Sequence, residues 1–539
     1  MACVVMLPSR EVRHGYSQYA RSEREVVHLR HRALRTELAM ALKPLVILCV
    51  LVAASFSFLL GYDIGIMSGA KRLVARDLSL SDVEVEVLVG ILNIVSAFGG
   101  LASGRLADAI GRRMTVALAC VVCIVGALMM AVASSYAALI TGRVITGFGI
   151  GSSFQVSPLY IAEVAPKSVR GKLVSFFDLF INVGILAGYI VGYVVGTMLG
   201  LDISPAWRLM LGLGAVPPLL ILCTLPLMPE SPRYLVASGQ HDRAAAVLQR
   251  LYAPHEARAT MSLLRDECAS TTIPSPCVGL RQIICPPPGP SGSLIVAGLA
   301  AACLQQATGV EAAVYYTPET LEAVGIKDEG SLLLATVGVG GIKVAFIGVA
   351  ALLVDRYGRV PLLITSNFGI AIAQALLAAS FAVGGSVGLA VAGQCLFMAA
   401  FSIGSGPCSM MVASECFPLQ VRGLAMGVAT LLNRTISGLI ALSFLSLTRA
   451  LTPTGTFCLF AGIALGACAF IRRRVPETKG RALEEIEQQM IERLKIAPGS
   501  ARSNELSHCG GGGGGGGGVE LAGCATSTKG SELAGSRCV

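Results

Sequence analysis

This sequence is short of charge. Only 14% of its 539 residues are Asp, Glu, Lys or Arg, against about 25% in an average soluble protein. With 54% hydrophobic residues beside that shortage, an ordinary water-soluble domain is excluded. Histidine is scarce too, with six in the chain, and no nucleophile–base or metal-ligand spacing is found. Bond chemistry, a bound metal and a cofactor are therefore not expected, and the chain does not read as an enzyme. Trp207 is the single tryptophan; it begins an apolar run and reads as an interfacial anchor. The first 43 residues lack the apolar core of a cleaved leader. They are polar and carry Arg10, Arg13, Arg21, Arg24, Arg30, Arg32 and Arg35, so a cytosolic N-terminus is expected. Cysteine is plentiful, at 17, but what is missing is a disulfide framework: the cysteines are scattered through apolar segments, where they serve as small packers. Cys120 and Cys123 form a CxxC inside such a segment, with no redox scaffold around it.

What is present is a series of apolar runs of about 20 residues, each long enough to cross a hydrocarbon core of about 30 Å as a helix. They fall near 44–65, 86–106, 114–134, 138–160, 173–197, 207–228, 292–317, 331–353, 361–383, 386–412, 423–447 and 452–472. The fold class is an all-α membrane protein of about twelve spans in the lipid bilayer. The formal net charge of +9 does not indicate nucleic acid, because Arg and Lys sit in alternate loops, as the positive-inside rule requires. Lys71, Arg72 and Arg76 break that pattern in the first outer loop, although Asp77, Asp82, Glu84 and Glu86 accompany them. The expected organisation is a basic tail over 1–43, a six-helix bundle over 44–228, a cytosolic linker with short helices over 229–290, a second bundle over 291–472, and a Gly-rich tail over 473–539. That tail contains Gly510–Gly518 and is expected to lack fixed structure.

Three motifs recur at an offset of about 250 residues. Asp108-x-x-Gly111-Arg112 returns as Asp355-x-x-Gly358-Arg359. Glu163-x-x-Pro166-x-x-Val169-Arg170-Gly171 returns as Glu415-x-x-Pro418-x-x-Val421-Arg422-Gly423, and Pro229-Glu230-Ser231 returns as Pro476-Glu477-Thr478. All copies fall at the cytosolic ends of their spans, so the halves are parallel repeats about an axis along the membrane normal, the organisation of a transporter that rocks. Arg105, Asp108, Arg112, Glu163, Arg170, Glu230, Asp355, Arg359, Glu415, Arg422 and Glu477 are candidates for a cytosolic gate. Their ion pairs would join the bundles when that side is shut and break when it opens. The alternative is that they only anchor the spans at the interface.

These motifs, with Gln305-Gln306-Ala307-Thr308-Gly309 and Pro476-Glu477-Thr478-Lys479-Gly480, resemble the sugar porter family of the major facilitator superfamily over about residues 44–490. The resemblance implies two six-helix pseudo-repeats, alternating access and carriage of a small solute.

An ionisable side chain inside a span costs roughly 2.5–3.5 kcal/mol and is a functional candidate by default. Asp63, Arg143, Asp178, Glu311 and Lys343 all occur within spans. Desolvation favours a neutral acid and a nearby guanidinium favours the carboxylate, so an Asp63–Arg143 neighbourhood that changes could load and release a proton. In proton-coupled sugar porters an acid and an arginine at the matching positions have this role; the alternative is a permanent salt bridge. Gln305, Gln306 and Asn433 offer donors and acceptors suited to a polyhydroxylated solute, and by resemblance they match sugar-contacting positions. Asp178, Glu311 and Lys343 replace the amides of plain hexose facilitators, as similar residues do in plant polyol transporters. Glu311 and Lys343 either touch substrate or neutralise each other. The family's usual tryptophan after Gly406-Pro407 is absent, with Met410 following Cys408 and Ser409. Asn433-Arg434-Thr435 matches a glycosylation acceptor but lies within a span. The expected function is proton-coupled symport of polyols or monosaccharides, with a proton-independent facilitator, and then a transporter-like sugar sensor, as alternatives. The plasma membrane is the family's usual location; an internal membrane would use the same spans.

Overall fold

The computed structural model describes residues 43–166, 169–270, 276–418, 421–480, 485–486 and 488–491. The basic N-terminal tail, the Gly-rich run and the Asp355 side chain lie outside the described residues. Every regular element among those described is helical. The first half comprises α1 (Pro44–Asp77), α2 (Asp82–Ile110), α3 (Arg112–Ala131), α4 (Tyr136–Val164), α5 (Arg170–Tyr193), α6 (Ile203–Gly212) and α7 (Val216–Thr224), the last two forming one span. Four short helices follow: α8 (Pro232–Ala237), α9 (His241–Leu251), α10 (Pro254–Ser270) and α11 (Pro276–Ile284). The second half holds α12 (Pro290–Ala307), α13 (Val310–Tyr315), α14 (Thr317–Ala323), α15 (Glu329–Tyr357), α16 (Arg359–Ala382), α17 (Val387–Ile403), α18 (Ser405–Cys416) and α19 (Arg422–Arg474).

Helix starts follow from local chemistry. α1 opens on Pro44, whose missing N–H is no loss in a first turn. α2 begins with a capping box: Ser81 Oγ accepts from the Glu84 N–H, and the Ser81 N–H donates to the Glu84 carboxylate at 2.8 Å. Among the described residues, eleven helices are long and apolar enough to span a membrane. The last, α19, has 53 residues and would measure about 80 Å if straight. It breaks at Thr452, where φ is 65°, just before Pro453. Each part is long enough for one crossing, which brings the described residues to twelve candidate spans. Two other spans are interrupted near their middles, α12/α13 at Gly309 with φ of +87° and α17/α18 at Gly404.

The repeat is visible in the packing. In the first half α1 packs on α5, and α4 on both α2 and α3; in the second, α12 packs on α19, and α17 on both α15 and α16. The halves meet where α1 touches α13 and α14, where α2 runs along α19, and where α5 runs along α15. α3 presents Met114, Leu118, Val121, Val125 and Leu128 outward at helical spacing, each about half exposed, and buries Thr115, Cys120 and Cys123. An apolar stripe facing out over a more polar interior suits lipid and not water. Cys120 and Cys123 are free thiols in that packing.

The α1–α5 contact depends on glycine. A Cβ on Gly61 would come within 1.9 Å of the Ile181 carbonyl oxygen, so the two backbones could not approach as they do. Gly61→Val is expected to eliminate monodisperse protein in detergent, measured by size-exclusion chromatography. Gly462→Ala, at a position with nothing within 4 Å, is expected to behave as wild type.

Candidate functional site

Asp63 on α1 and Arg143 on α4 meet inside the first half. Arg143 Nη1 donates to both carboxylate oxygens of Asp63, at 2.8 and 2.7 Å, and Nε donates to the Leu88 carbonyl at 3.1 Å. Arg143 is fully buried and Asp63 is 7% exposed. Neither charge could stay so deep alone, because an uncompensated buried ion costs several kcal/mol.

Between the halves lies a cavity of about 90 Å³ whose walls include Asp178, Asn182, Gln305, Gln306, Glu311, Lys343 and Arg434. Two of the amides already spend donors on the protein. Gln305 Nε2 donates to the carbonyls of Ser405 at 3.1 Å and Gly406 at 2.7 Å, and Gln306 Nε2 to Asn433 Oδ1 at 3.3 Å. Asn433 stands behind the wall as a hub. Its Nδ2 donates to the Ala302 carbonyl at 2.7 Å and to Gln305 Oε1 at 2.8 Å, while its Oδ1 also accepts from Arg434 at 3.0 and 3.2 Å. Gln306 Oε1 is buried and has no hydrogen-bond partner among the described residues.

Glu311 Oε1 accepts from Ser437 Oγ at 2.8 Å and lies 3.7 Å from Arg434 Nη1. The cation paired with Glu311 is thus Arg434, not Lys343. Lys343 makes no ion pair among the described residues; its Nζ is 5.8 Å from the centre of the Phe401 ring. Arg434 reaches across to the first half, its guanidinium 4.7 Å from the centre of the Phe154 ring. Arg434, the middle of the Asn433-Arg434-Thr435 triplet, is a further candidate, because the cost of a charge within a span applies to it as well. Phe154 and Phe401 supply aromatic walls in the cavity that lacks the tryptophan.

The two ends of the molecule differ. At the end without the repeated motifs, ion pairs join the halves: Lys71–Glu319 at 2.9 Å, Arg72–Glu322 at 2.6 Å, Arg76–Glu329 at 3.1 Å, and Asp82 with Arg449. Glu86 accepts from the Ser446 N–H at 2.8 Å and its hydroxyl at 2.6 Å. Lys71 also stacks 3.7 Å from the centre of the Tyr316 ring. The three cations that broke the positive-inside pattern are the ones that close this end.

At the motif end a second cavity, of about 550 Å³, runs between α5 and α15 from Asp178 and Ile347 to Val169 and Arg359. This end is open. Its charged groups pair within their own halves: Arg112 with Glu163 at 3.0 Å and with Asp108 at 3.1 Å, and Arg359 with Glu415 at 3.1 Å. Arg422 Nε donates to the Phe417 carbonyl at 3.1 Å. Arg105 and Arg170 are exposed, with no ion pair among the described residues. Pairing across the halves was expected only for the shut state of this end.

Glu230 and Glu477 act as helix caps. Glu230 accepts from the backbone N–H groups of Arg112 at 2.9 Å and Arg113 at 3.1 Å, and Glu477 accepts from those of Arg359 and Val360, each at 3.0 Å. Gly111 and Gly358, both at φ of +93°, make the turn that presents those N–H groups; a Cβ there would meet the carboxylates at 2.6 and 2.9 Å. Glu230→Ala is expected to destabilise the first half by about 2 kcal/mol, as loss of charge-assisted bonds to a helix start implies. A lowered melting temperature in detergent checks it; an unchanged one would remove the capping role.

The family model for sugar (and other) transporters matches residues 49–490. The chain belongs to that family. The transporter is 41% identical over 447 residues to probable polyol transporter 4 of Arabidopsis thaliana, covering 82% of this chain and 84% of the relative. It is 39% identical over 463 residues to polyol transporter 5 of the same plant, covering 82% and 85%. Among solved structures it is similar to the proton:xylose symporter XylE bound to 6-bromo-6-deoxy-D-glucose, with a TM-score of 0.71, 27% identity, and coverage of 83% of this chain and 99% of that one. It is equally similar, at a TM-score of 0.71 and 26% identity, to the inward-open xylose transporter XylE of E. coli, covering 82% and 99%. The transporter has the two-repeat major facilitator fold, is a multi-pass membrane protein, and is not an enzyme.

Proposed function

We propose that the transporter is a proton-coupled symporter of polyols or monosaccharides in the plasma membrane, working by alternating access. The buried, doubly bonded Asp63–Arg143 pair carries this reading. It has no structural need to be ionic, since a well-packed apolar pair would serve stability as well. Asp63 is the proton carrier and Arg143 its modulator. Gln305, Gln306, Asp178, Glu311 and Lys343 meet the solute, and Asn433 holds the two glutamines in place. The cavity's charged walls favour a solute rich in hydroxyls, because carboxylates accept from hydroxyls and the cations of Lys343 and Arg434 donate to them. The names of the Arabidopsis relatives support the polyol class, and the named proton coupling of XylE supports symport. The motif-end pairs are the cytosolic gate, caught open.

Proteoliposomes with a trapped pH dye test the reading. Adding sorbitol, mannitol, myo-inositol, xylose or glucose outside should acidify the lumen for the carried solute. Uptake of a labelled solute with no lumenal acidification would leave a facilitator.

A further inference from the structure

Arg434 touches both halves of the transporter. It is 5% exposed and stands in the wall of the cavity of about 90 Å³. One edge of its guanidinium is spent on its neighbour in the chain, Nε and Nη2 donating to Asn433 Oδ1 at 3.2 and 3.0 Å. Nη1 lies 3.7 Å from Glu311 Oε1, an oxygen that also accepts from Ser437 Oγ at 2.8 Å. The guanidinium carbon is 4.7 Å from the centre of the Phe154 ring, on α4 of the first half. Phe154 is braced edge-on by Phe177 of α5, with ring centres 5.3 Å apart.

This arrangement orders the amides of the cavity. A guanidinium has N–H donors and no acceptor, whereas an amide has one end of each kind and can present either. Facing Arg434, Asn433 turns its oxygen toward the guanidinium and its nitrogen away, to Gln305 Oε1 at 2.8 Å and the Ala302 carbonyl at 2.7 Å. Gln305 then has its oxygen on Asn433 and its nitrogen on the carbonyls of Ser405 and Gly406. Gln306 Nε2 joins at Asn433 Oδ1, at 3.3 Å. Turning the Asn433 amide over would set donor against donor at Arg434 and acceptor against acceptor at Gln305, and unpaired polar groups are costly in a buried site.

We propose that Arg434 is a positioning residue for solute binding: it fixes, through Asn433, which end Gln305 and Gln306 present, holds the Glu311 carboxylate with Ser437, and is itself kept in place by the Phe154 ring of the other half. This rests on the reading that Gln305, Gln306 and Glu311 meet the solute, and adds what sets their orientation. Lysine cannot take over the role. An ammonium is a point charge, with neither the planar edge that gives two N–H groups to one oxygen nor the flat face that lies on a ring. Phe154 makes the site a property of both halves, since a cation on an aromatic face is held most firmly where water is excluded.

The concentration dependence of solute exchange in proteoliposomes of the full chain tests this, with whichever of labelled sorbitol, mannitol, myo-inositol, xylose or glucose is carried. Arg434→Lys keeps a counter-charge for Glu311 and is expected to raise KM about tenfold, as loss of a charge-assisted hydrogen bond implies, with the maximal rate near wild type. Phe154→Leu is expected to raise KM about fivefold, and Phe154→Tyr, which keeps the ring face, to leave it at the wild-type value. Because Arg434 acts through Asn433, Arg434→Lys added to Asn433→Ala should raise KM no further than Asn433→Ala does alone. A wild-type KM in Arg434→Lys, or effects of Arg434→Lys and Asn433→Ala that multiply, would overturn the proposal and leave Arg434 as a counter-ion of Glu311. If Arg434→Lys does not fold, the Phe154 variants decide: equal KM in Phe154→Leu and Phe154→Tyr would overturn it. A wild-type KM in both Gln305→Ala and Gln306→Ala would instead overturn the solute site on which the proposal rests.

Discussion

Asp63→Asn abolishes accumulation above equilibrium and leaves exchange of solute across the membrane intact: this is the result expected from the buried pair. Asparagine keeps the size and an acceptor for Arg143 Nη1, but it carries no proton at any working pH. The expected fall is from full accumulation to a ratio of one. Arg143 would be left without its counter-charge, at a cost of about 3–5 kcal/mol for a fully buried site, so expression and melting temperature need to be measured alongside. A stable Asp63→Asn protein that still accumulates solute under a proton gradient would reduce the pair to a structural salt bridge.

The second large effect concerns the outer end. Lys71 is 1% exposed and Glu319 about a quarter exposed, so their 2.9 Å contact is better shielded than a surface pair, though not fully desolvated. Lys71→Glu would set two acids against each other where the halves meet and bias the protein toward the outward-open state. A disfavour of about 1–2 kcal/mol shifts that population by roughly 5- to 30-fold. Ser402, a wall residue of the central cavity, provides the reporter. Ser402→Cys should react faster with an impermeant thiol reagent from outside in the Lys71→Glu background, and turnover should fall. Adding Glu319→Lys should reverse both changes. Equal labelling in all three proteins would show that the pair does not hold the outer end shut.

The architecture was legible because it follows from solvent and length. Apolar runs set the spans and the motif repeat set the parallel halves. The break in α19 could be anticipated from Pro453 and from a run too long for one crossing. Contacts between side chains far apart in the sequence were less legible. Composition could mark Glu311 and Lys343 as charges within spans, but not that Glu311 would face Arg434, because partner choice depends on helix rotation. Asn433 reads as a contact residue in sequence; that it also bonds both Gln305 and Gln306 depends on helix rotation for the same reason. Lys71, Arg72 and Arg76 looked like exceptions to a topological rule; their acidic partners lie about 250 residues further on, in a segment that closes only in three dimensions. The Pro-Glu-Ser and Pro-Glu-Thr motifs read as gate ion pairs, while their backbone-capping role depends on the turns at Gly111 and Gly358.

The central claim is that solute moves with a proton. The measurement that meets it directly is the steady-state accumulation ratio of the carried solute in proteoliposomes under an imposed inward proton-motive force of known size. One proton per solute at 100 mV supplies about 2.3 kcal/mol, a ceiling of roughly fifty-fold. A ratio that climbs with the applied force toward that ceiling and collapses to one when a protonophore is added is the predicted result. A ratio of one at every applied force, with rapid entry, would contradict it.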